Sequence, residues 1–459
     1  MLFTIRGHVF LFLKDYMNNK RISLIVKISS RKDITHLLHY KFKTIYCLVK
    51  DDIDIGRFSS QRIVLLPYTD ESEWKSIIWN VVKNNPLEKI IPYFRGDDNS
   101  KYAIQVHNYY NENTIDRRLF KHKNKMNDFM SHSKKFKFLK QEQLKDISYE
   151  EISEAIWEQT FIIKPINKSS SAGAFKITNK LDRNDIQEKL LPCDHVVEEY
   201  YSWHLHSIDF YFDGEHILIL SAVREVPFIE ILDENKHSVK FIEQYWKEIQ
   251  QNFLFSLPIR YDIPYQKLHT NERGFITDIG KKLKAIGYVG FIHLEYKFDT
   301  TTKKVWYIER GARLWWERLR WIEHLHYFDI IDLLYSIHTQ DISKREPYKW
   351  SYIFKTIKPN THYVGIYKFF LKPTHIGEVL LWHKNPFKIS YTEYLKSYFQ
   401  KIGIIIQDIN IVSKKSEKNM IYPSYKSNET YFKIMFEIDD ENFKKLRSKK
   451  IEIIEKLVF

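Results

Sequence analysis

Two carboxylates brought close by a short turn are the first candidates for chemistry in this chain. The runs Gly290-Phe291-Ile292-His293-Leu294-Glu295 and Ile308-Glu309-Arg310-Gly311-Ala312-Arg313 flank the polar segment Asp299-Thr300-Thr301-Thr302-Lys303. Alternation of apolar and polar residues predicts strands over 291–298 and 304–310, with that segment as the turn. A hairpin centred near Thr302 sets Glu295 against Glu309 on one face. Carboxylates held side by side repel unless a proton or a cation lies between them, so the pairing asks for a metal. Hard oxygen ligands in small number suit Mg²⁺ shared with nucleotide phosphates, with Mn²⁺ also compatible. On these residues alone, a surface hairpin with solvent-facing charges accounts for the pattern equally well.

Three further stretches carry chemical residue types. In Phe161-Ile162-Ile163-Lys164-Pro165-Ile166-Asn167-Lys168-Ser169-Ser170-Ser171-Ala172-Gly173-Ala174-Phe175-Lys176-Ile177, two strand-like runs flank a loop of small residues. The amides around Ser169, Ser170, Ser171 and Gly173 can close on phosphate oxygens, and Lys164 can supply a point charge from the strand below. A serine-rich turn standing alone is more often only a turn. The apolar run beginning at His195 turns polar at Glu198-Glu199-Tyr200, and an Asp213-Gly214 hairpin signal separates strands at 207–212 and 215–220. Lys123-Asn124-Lys125-Met126 opens a helix-like stretch and, alone, is a charge run.

These pieces need elements to hold them. Residues 1–110 alternate strand-like runs (23–28, 44–49, 62–66, 89–93) with helix-like ones, notably 71–83 before Pro86, which predicts a small open α/β sheet. No Gly-x-Gly-x-x-Gly follows these strands, which argues against dinucleotide binding there. The nearest approach to a P-loop, Gly274 to Gly280-Lys281-Lys282, has one residue too many between the glycines and no Ser or Thr after the lysine; it reads as helix. The tail is expected to hold strands at 363–371, 377–382, 403–406 and 431–437 and an amphipathic segment at 440–457.

At 459 residues the chain exceeds the usual size of a single core, so two or three domains are expected. Hydrophobic residues at 44% and aromatics at 16% describe a folded globular protein. No apolar run approaches the ~20 residues of a membrane helix, and residues 1–13 carry Arg6 and His8 without a small-residue cleavage site. The expectation is a cytoplasmic protein with no membrane partner. Cys47 and Cys193 are too few for a disulfide framework and read as ordinary buried thiols. The net charge of +14 raises nucleic acid as a partner, but the lysines are spread along the whole chain, which disfavours it.

Taken in order, the pieces resemble the ATP-grasp superfamily, and more narrowly its carboxylate-amine ligases such as the L-amino acid ligases. The resemblance covers most of the chain and rests on joint order and spacing. It implies a mixed α/β (α+β) ATP-grasp fold with a pre-grasp α/β domain at 1–110, a grasp domain at 111–345 binding ATP and magnesium, and a C-terminal α+β domain at 346–459. In the last, Lys372-Pro373-Thr374-His375-Ile376-Gly377-Glu378-Val379 is similar to the Pro-x-x-Gly-x-Val element of those ligases, with one extra residue. By the resemblance, Lys125 and Lys164 contact the ATP phosphates, the loop 167–173 is a lid over them, and Glu198, Glu199 and Tyr200 form the adenine hinge. Glu295 and Glu309 are the magnesium ligands, two ions being expected, and Arg313 is the catalytic arginine beside the transferred phosphoryl group.

There are departures. A Gly and then a ribose-holding Glu usually follow the hinge, where this chain has Trp203-His204-Leu205-His206; His204 or His206 is the candidate replacement. Gly311 stands where many members carry an Asn ligand, and Trp315-Trp316 replace the paired glycines after the arginine. Trp315, Trp316 and Trp321, with Arg318 and Arg320, are candidates for an acceptor pocket, and Arg224 for a further phosphate contact. The implied reaction joins a small-molecule carboxylate to an amine, an amino acid or peptide, through an acyl phosphate, releasing ADP and phosphate; a homodimer is compatible with it. The alternatives are another grasp reaction, carboxylase-like or carrier-protein loading, and a basic nucleotide- or nucleic-acid-binding protein without ligase activity.

Overall fold

The structure, a computed structural model, describes residues 22–28, 37–51, 60–93, 100–110, 115–120, 122–130, 136–141, 150, 160–166, 174–177, 190–227, 230, 259–263, 267–313, 330–339, 361–368, 388–406, 408–413, 432–450 and 452–453. Strands β1 (Ile22–Lys27), β2 (Ile45–Lys50), β3 (Ile63–Tyr68) and β4 (Lys89–Tyr93) pair in parallel in the order β3-β2-β1-β4. Parallel strands covered on both faces need apolar residues without alternation, and β1 and β2 are buried nearly throughout. Helix α1 (Trp74–Asn84) covers one face with Trp74, Ile78, Val81 and Val82, spaced as one helical stripe, joined by Val106 of α2 (Ser100–Tyr110). Leu24, Val26 and Cys47 face the other way. Burial pushes the Cys47 thiol up to about 12, whereas Cys193 is only half-buried.

After α3 (Lys123–Met130) comes a second four-stranded sheet built of β5 (Phe136–Leu139), β6 (Phe161–Pro165), β7 (Phe175–Ile177) and β8 (His195–Glu199), ordered β5-β8-β6-β7. The third sheet has eight strands in the order β13-β12-β9-β10-β11-β14-β16-β15. Its members are β9 (His204–Phe212), β10 (Ile217–Val226), β11 (Ile259–Asp262), β12 (Gly290–Phe298), β13 (Val305–Gly311), β14 (Thr361–Lys368), β15 (Asp408–Ser413) and β16 (Phe432–Asp439), all paired antiparallel. The sheet is therefore continuous across residue 345: the late strands extend the sheet that carries Glu295. Helices α4 (Thr270–Ala285), α5 (Ile330–Thr339), α6 (Lys388–Lys401) and α7 (Asp440–Ser448) complete the described elements.

Glycines punctuate this sheet where φ turns positive. Gly214, at φ +105°, completes the Asp213-Gly214 turn between β9 and β10, where the Asp213 side chain accepts hydrogen bonds from the amides of Glu215 (2.8 Å) and His216 (2.6 Å). Residues 403–406, expected as a strand, are instead the exit from α6. Gly403 takes φ +74°, and the Ile404 amide reaches back to the Phe399 carbonyl at 2.8 Å, a helix stop rather than a strand start. The glycine-lysine stretch 274–282 lies within α4, as expected. The expected strand at 377–382 lies outside the described residues.

Candidate active site

Directly paired residues of antiparallel strands share a face, so the register decides what meets what. Glu295 of β12 pairs with Glu309 of β13 on one side and with Ser207 of β9 on the other. The two carboxylates are thus side by side on one face of an edge hairpin. A register shift follows at once, with Tyr296 opposite Tyr307 and Ile308 as the extra residue. The bulge lets Tyr307 and Arg310 both turn to the helix-covered face while Glu309 stays on the open one. The turn forms where the polar segment stands. The Lys303 amide bonds the Asp299 carbonyl at 2.8 Å, and the Asp299 carboxylate accepts from Thr301 and Thr302, contacts that lower its pKa, the Thr302 hydroxyl foremost.

The face bearing Glu295 is polar well beyond the pair. His293, two residues earlier on the same face, bonds Asp209 of β9 through Nδ1 (2.9 Å) and Glu295 through Nε2 (3.1 Å). Burial pulls its pKa down, but the Asp209 and Glu295 carboxylates overcome that and carry it up to about 9, so the ring is an imidazolium at neutral pH. Ser221 donates to Asp209 at 2.8 Å, Ser207 donates to Glu225 at 2.6 Å, and Arg260 of β11 lies 4.0 Å from Glu225. Charged and hydroxyl groups therefore run in a continuous band from β13 to β11.

Lys123 completes the edge of this band. Its Nζ is 3.8 Å from Glu309 Oε2, and the side chain is buried. Arg310 explains how α3 is held there. Its guanidinium lies 3.7 Å from the Phe129 ring centre and 5.0 Å from that of Phe120, and its Nη2 donates to the Leu119 carbonyl at 3.1 Å. Burial brings its pKa down to about 10, which leaves it charged. The edge strand is thus clamped to the turn that opens α3.

Lys164 and Glu198 meet in the smaller sheet. Lys164 Nζ donates to Glu198 Oε2 at 2.6 Å, both side chains buried, because alternate residues of β6 and the β6–β8 register put them on one face. The two sheets communicate electrostatically. The Tyr307 hydroxyl is pushed up first by burial, then, against Arg310, by Glu309, Glu198 and Glu295. Tyr200, at the end of β8, lies under two lysines, Lys176 Nζ at 4.1 Å and Lys297 Nζ at 5.6 Å from its ring centre. Tyr201 stacks obliquely on Trp203 and Trp306 at 4.4 and 4.5 Å and donates to Glu199 at 2.8 Å. Arg313 runs back over Gly311, its Cγ about 3.4 Å from where a Cβ would stand.

The sequence-derived set is therefore only partly assembled. Glu295 and Glu309 lie side by side on the hairpin, Arg313 follows it with its side chain against Gly311, and Lys164 with Glu198 face each other on the small sheet. Glu199 pairs with Phe161 and so points to the opposite face from Glu198. Lys125 is directed to Asp128, 4.0 Å away, and it is Lys123, two residues earlier, that reaches the carboxylates. His204 stands apart. Leu205 pairs with Lys297, on the face of Glu295, while His204 and His206 flank it on the opposite face. His206 is occupied there by Glu272 of α4 (2.7 Å), and Arg224 also faces that way. Ser169, Ser170, Ser171 and Gly173 lie outside the described residues, as do Trp315, Trp316, Trp321, Arg318, Arg320 and the segment 372–379. Sequence reasoning passed over His293, Asp209 and Lys123; the signal for the first two is i, i+2 spacing from Glu295 and Ser207.

No protein-family model matches this chain, and neither does any curated protein. Solved structures do. The L-amino acid ligase from Bacillus licheniformis superposes with a TM-score of 0.57 at 12% identity, over 94% of this chain and 96% of that one. N5-carboxyaminoimidazole synthetase from Staphylococcus aureus, complexed with ADP, gives 0.55 at 10% identity, over 94% and 96%. Carboxyaminoimidazole ribonucleotide synthase from Aspergillus clavatus, complexed with ATP, gives 0.54 at 9% identity, over 95% and 100%. The fold is that of ATP-grasp proteins. Among the described residues, no helix is long and apolar enough to cross a membrane.

Proposed function

We propose that this chain is an ATP-dependent carboxylate-amine ligase that forms an amide through an acyl phosphate. The observation that carries the reading is the side-by-side placement of Glu295 and Glu309 on the polar face, next to Lys123. Two carboxylates from adjacent strands supply hard oxygens to a divalent ion and leave its remaining positions to phosphates and water, which is how Mg²⁺ is usually held. Those residues fit the metal, and when bound it would neutralise charge on the transferring phosphoryl group.

The chain's own residues do the positioning. His293, held between Asp209 and Glu295, fixes the Glu295 carboxylate in one orientation and offsets part of the repulsion from Glu309. Lys123 and Lys164 supply cationic charge from α3 and from the small sheet. In the reaction, the substrate carboxylate attacks the terminal phosphoryl group, ADP departs, and the acyl phosphate so formed is attacked by the amine with loss of phosphate. Arg313, folded over Gly311, is assigned to the charge that develops during the transfer. The adenine hinge is assigned to the chain around Glu198 and Tyr200, where Lys176 and Lys297 flank the aromatic ring. Leu205 holds the position facing the nucleotide where a ribose-binding carboxylate would stand, so sugar contacts come from elsewhere.

The test is release of ADP and phosphate in the presence of Mg²⁺ and pooled amino acids and small acids, with the amide product identified by mass. Release that needs both an acid and an amine supports the ligase. Release that depends on bicarbonate instead supports a carboxylase-like reaction, and failure to bind ATP together with salt-sensitive binding of DNA or RNA removes the proposal.

A further inference from the structure

On the face of the eight-stranded sheet opposite Glu295, a cavity of about 320 Å³ opens between the strands and helix α7. Four cationic side chains line it: Arg224 of β10, and Lys444, Arg447 and Lys450 from α7 and its C-terminal extension. Glu230, ion-paired to Arg224, is the one carboxylate among the described lining residues. The negative pole of α7 ends here too, but at about half an elementary charge it does not balance the cations. Val226, Ile259 and Tyr261 supply an apolar wall.

Two observations make this more than a basic surface. Arg224 is 2% exposed, ion-paired to Glu230 and bonded to the Leu205 carbonyl at 3.1 Å, yet among the described residues its Nε–H has no acceptor. The Glu230 pairing offsets the charge, but a buried N–H left without an acceptor still costs free energy. His204, also in the lining, has its pKa driven down to about 3, by burial first and then by Arg224, His206 and Arg447, so at neutral pH it is an uncharged hydrogen-bonding group.

We propose that this cavity is a second ligand site, separate from the nucleotide site, which takes a small organic dianion: a phosphate or dicarboxylate head group on an apolar body. The cations of α7 and β10 receive the head, Tyr261 and Ile259 receive the body, and the ligand lies on the opposite face of the sheet from Glu295. Register alone separates the two sites, since Arg224, His204 and Tyr261 alternate with Glu225, Leu205 and Arg260 along their strands.

The experiment is calorimetric titration of the full chain with phenyl phosphate, phthalate and phenol, with and without saturating Mg²⁺ and ATPγS. Phenyl phosphate or phthalate is expected to bind, phenol is not, and whichever dianion binds more tightly identifies the head group. The double substitution K444A/R447A, at exposed helix positions, should leave the thermal midpoint within a few degrees and weaken binding about tenfold, and R447E alone should weaken it by a similar factor. Binding should persist when the nucleotide site is filled. Absence of binding by either dianion at about 10 mM, binding that survives both variants, or displacement by ATPγS would overturn the site.

Discussion

The two faces of one sheet divide their charged groups in opposite ways. Facing the hairpin carboxylates, a run of charged groups is tied to opposite charges or hydroxyls: Glu295 with His293, His293 with Asp209, Asp209 with Ser221, Glu225 with Ser207, Glu309 with Lys123. Behind them, the opposite face borders a cavity lined with cations from β10 and α7 and, among the described residues, a single carboxylate. An ordered, closely paired array has preset side-chain positions, which is what transfer of a phosphoryl group from one oxygen to another requires. A cavity with excess charge of one sign suits binding and selects a ligand by its charge. Strand alternation lets eight antiparallel strands serve both ends at no cost in chain length.

The comparison can be broken most severely at the hairpin. Glu309→Gln or Glu295→Gln should lower ADP formation about 100- to 1000-fold, while unfolding free energies stay within about 1 kcal/mol of wild type, because each removes a mutual repulsion along with a ligand. Steady-state rates paired with urea unfolding check this. On the other face, Glu272 accepts from Tyr296 at 2.8 Å, bonds His206 at 2.7 Å, and caps its own helix through the His269 amide at 2.9 Å. Glu272→Ala should cost about 3 kcal/mol in urea denaturation, since it leaves several buried groups without partners. The magnesium dependence of nucleotide binding should be unchanged in that variant.

Acid sharpens the distinction further. His338, bonded to the Tyr211 hydroxyl at 2.9 Å, has its pKa lowered to about 3 by burial and then by Lys89. The unfolded chain takes up that proton near pH 6.5 and the folded chain does not, so stability is full above pH 6.5 and falls as pH drops toward 3, by up to about 1.4 kcal/mol per pH unit. His338→Gln should flatten the slope of unfolding free energy between pH 6 and 4 relative to wild type. The smallest effect is expected at His204: His204→Asn should leave the KM for ATP within about twofold, because that side chain faces the cationic cavity, and a loss of about tenfold or more would place it at the nucleotide after all.

Much of this was legible in the chain. The small α/β sheet of residues 22–93 was legible in strand-like runs alternating with helix-like ones, and the hairpin at 290–311 in alternation around a polar turn, because both are local patterns. What escaped depends on longer range. Whether Lys123 or Lys125 reaches Glu309 depends on the rotation of α3, set by Arg310 stacking on Phe129 almost two hundred positions away. Which of His204, Leu205 and His206 faces the nucleotide depends on the phase of β9 against β12, and a one-residue shift reverses it. Glycine misled once: Gly403 stops a helix where a strand was expected to begin.

The central claim is that Glu295 and Glu309 together hold a divalent ion against nucleotide phosphates. Mn²⁺ binding followed by electron paramagnetic resonance, with a non-hydrolysable ATP analogue present, tests it without reference to turnover. The account predicts bound Mn²⁺ in the wild-type protein and affinity weakened at least about tenfold in both Glu295→Gln and Glu309→Gln. Mn²⁺ affinity that is the same in the wild type and in the two variants would contradict it.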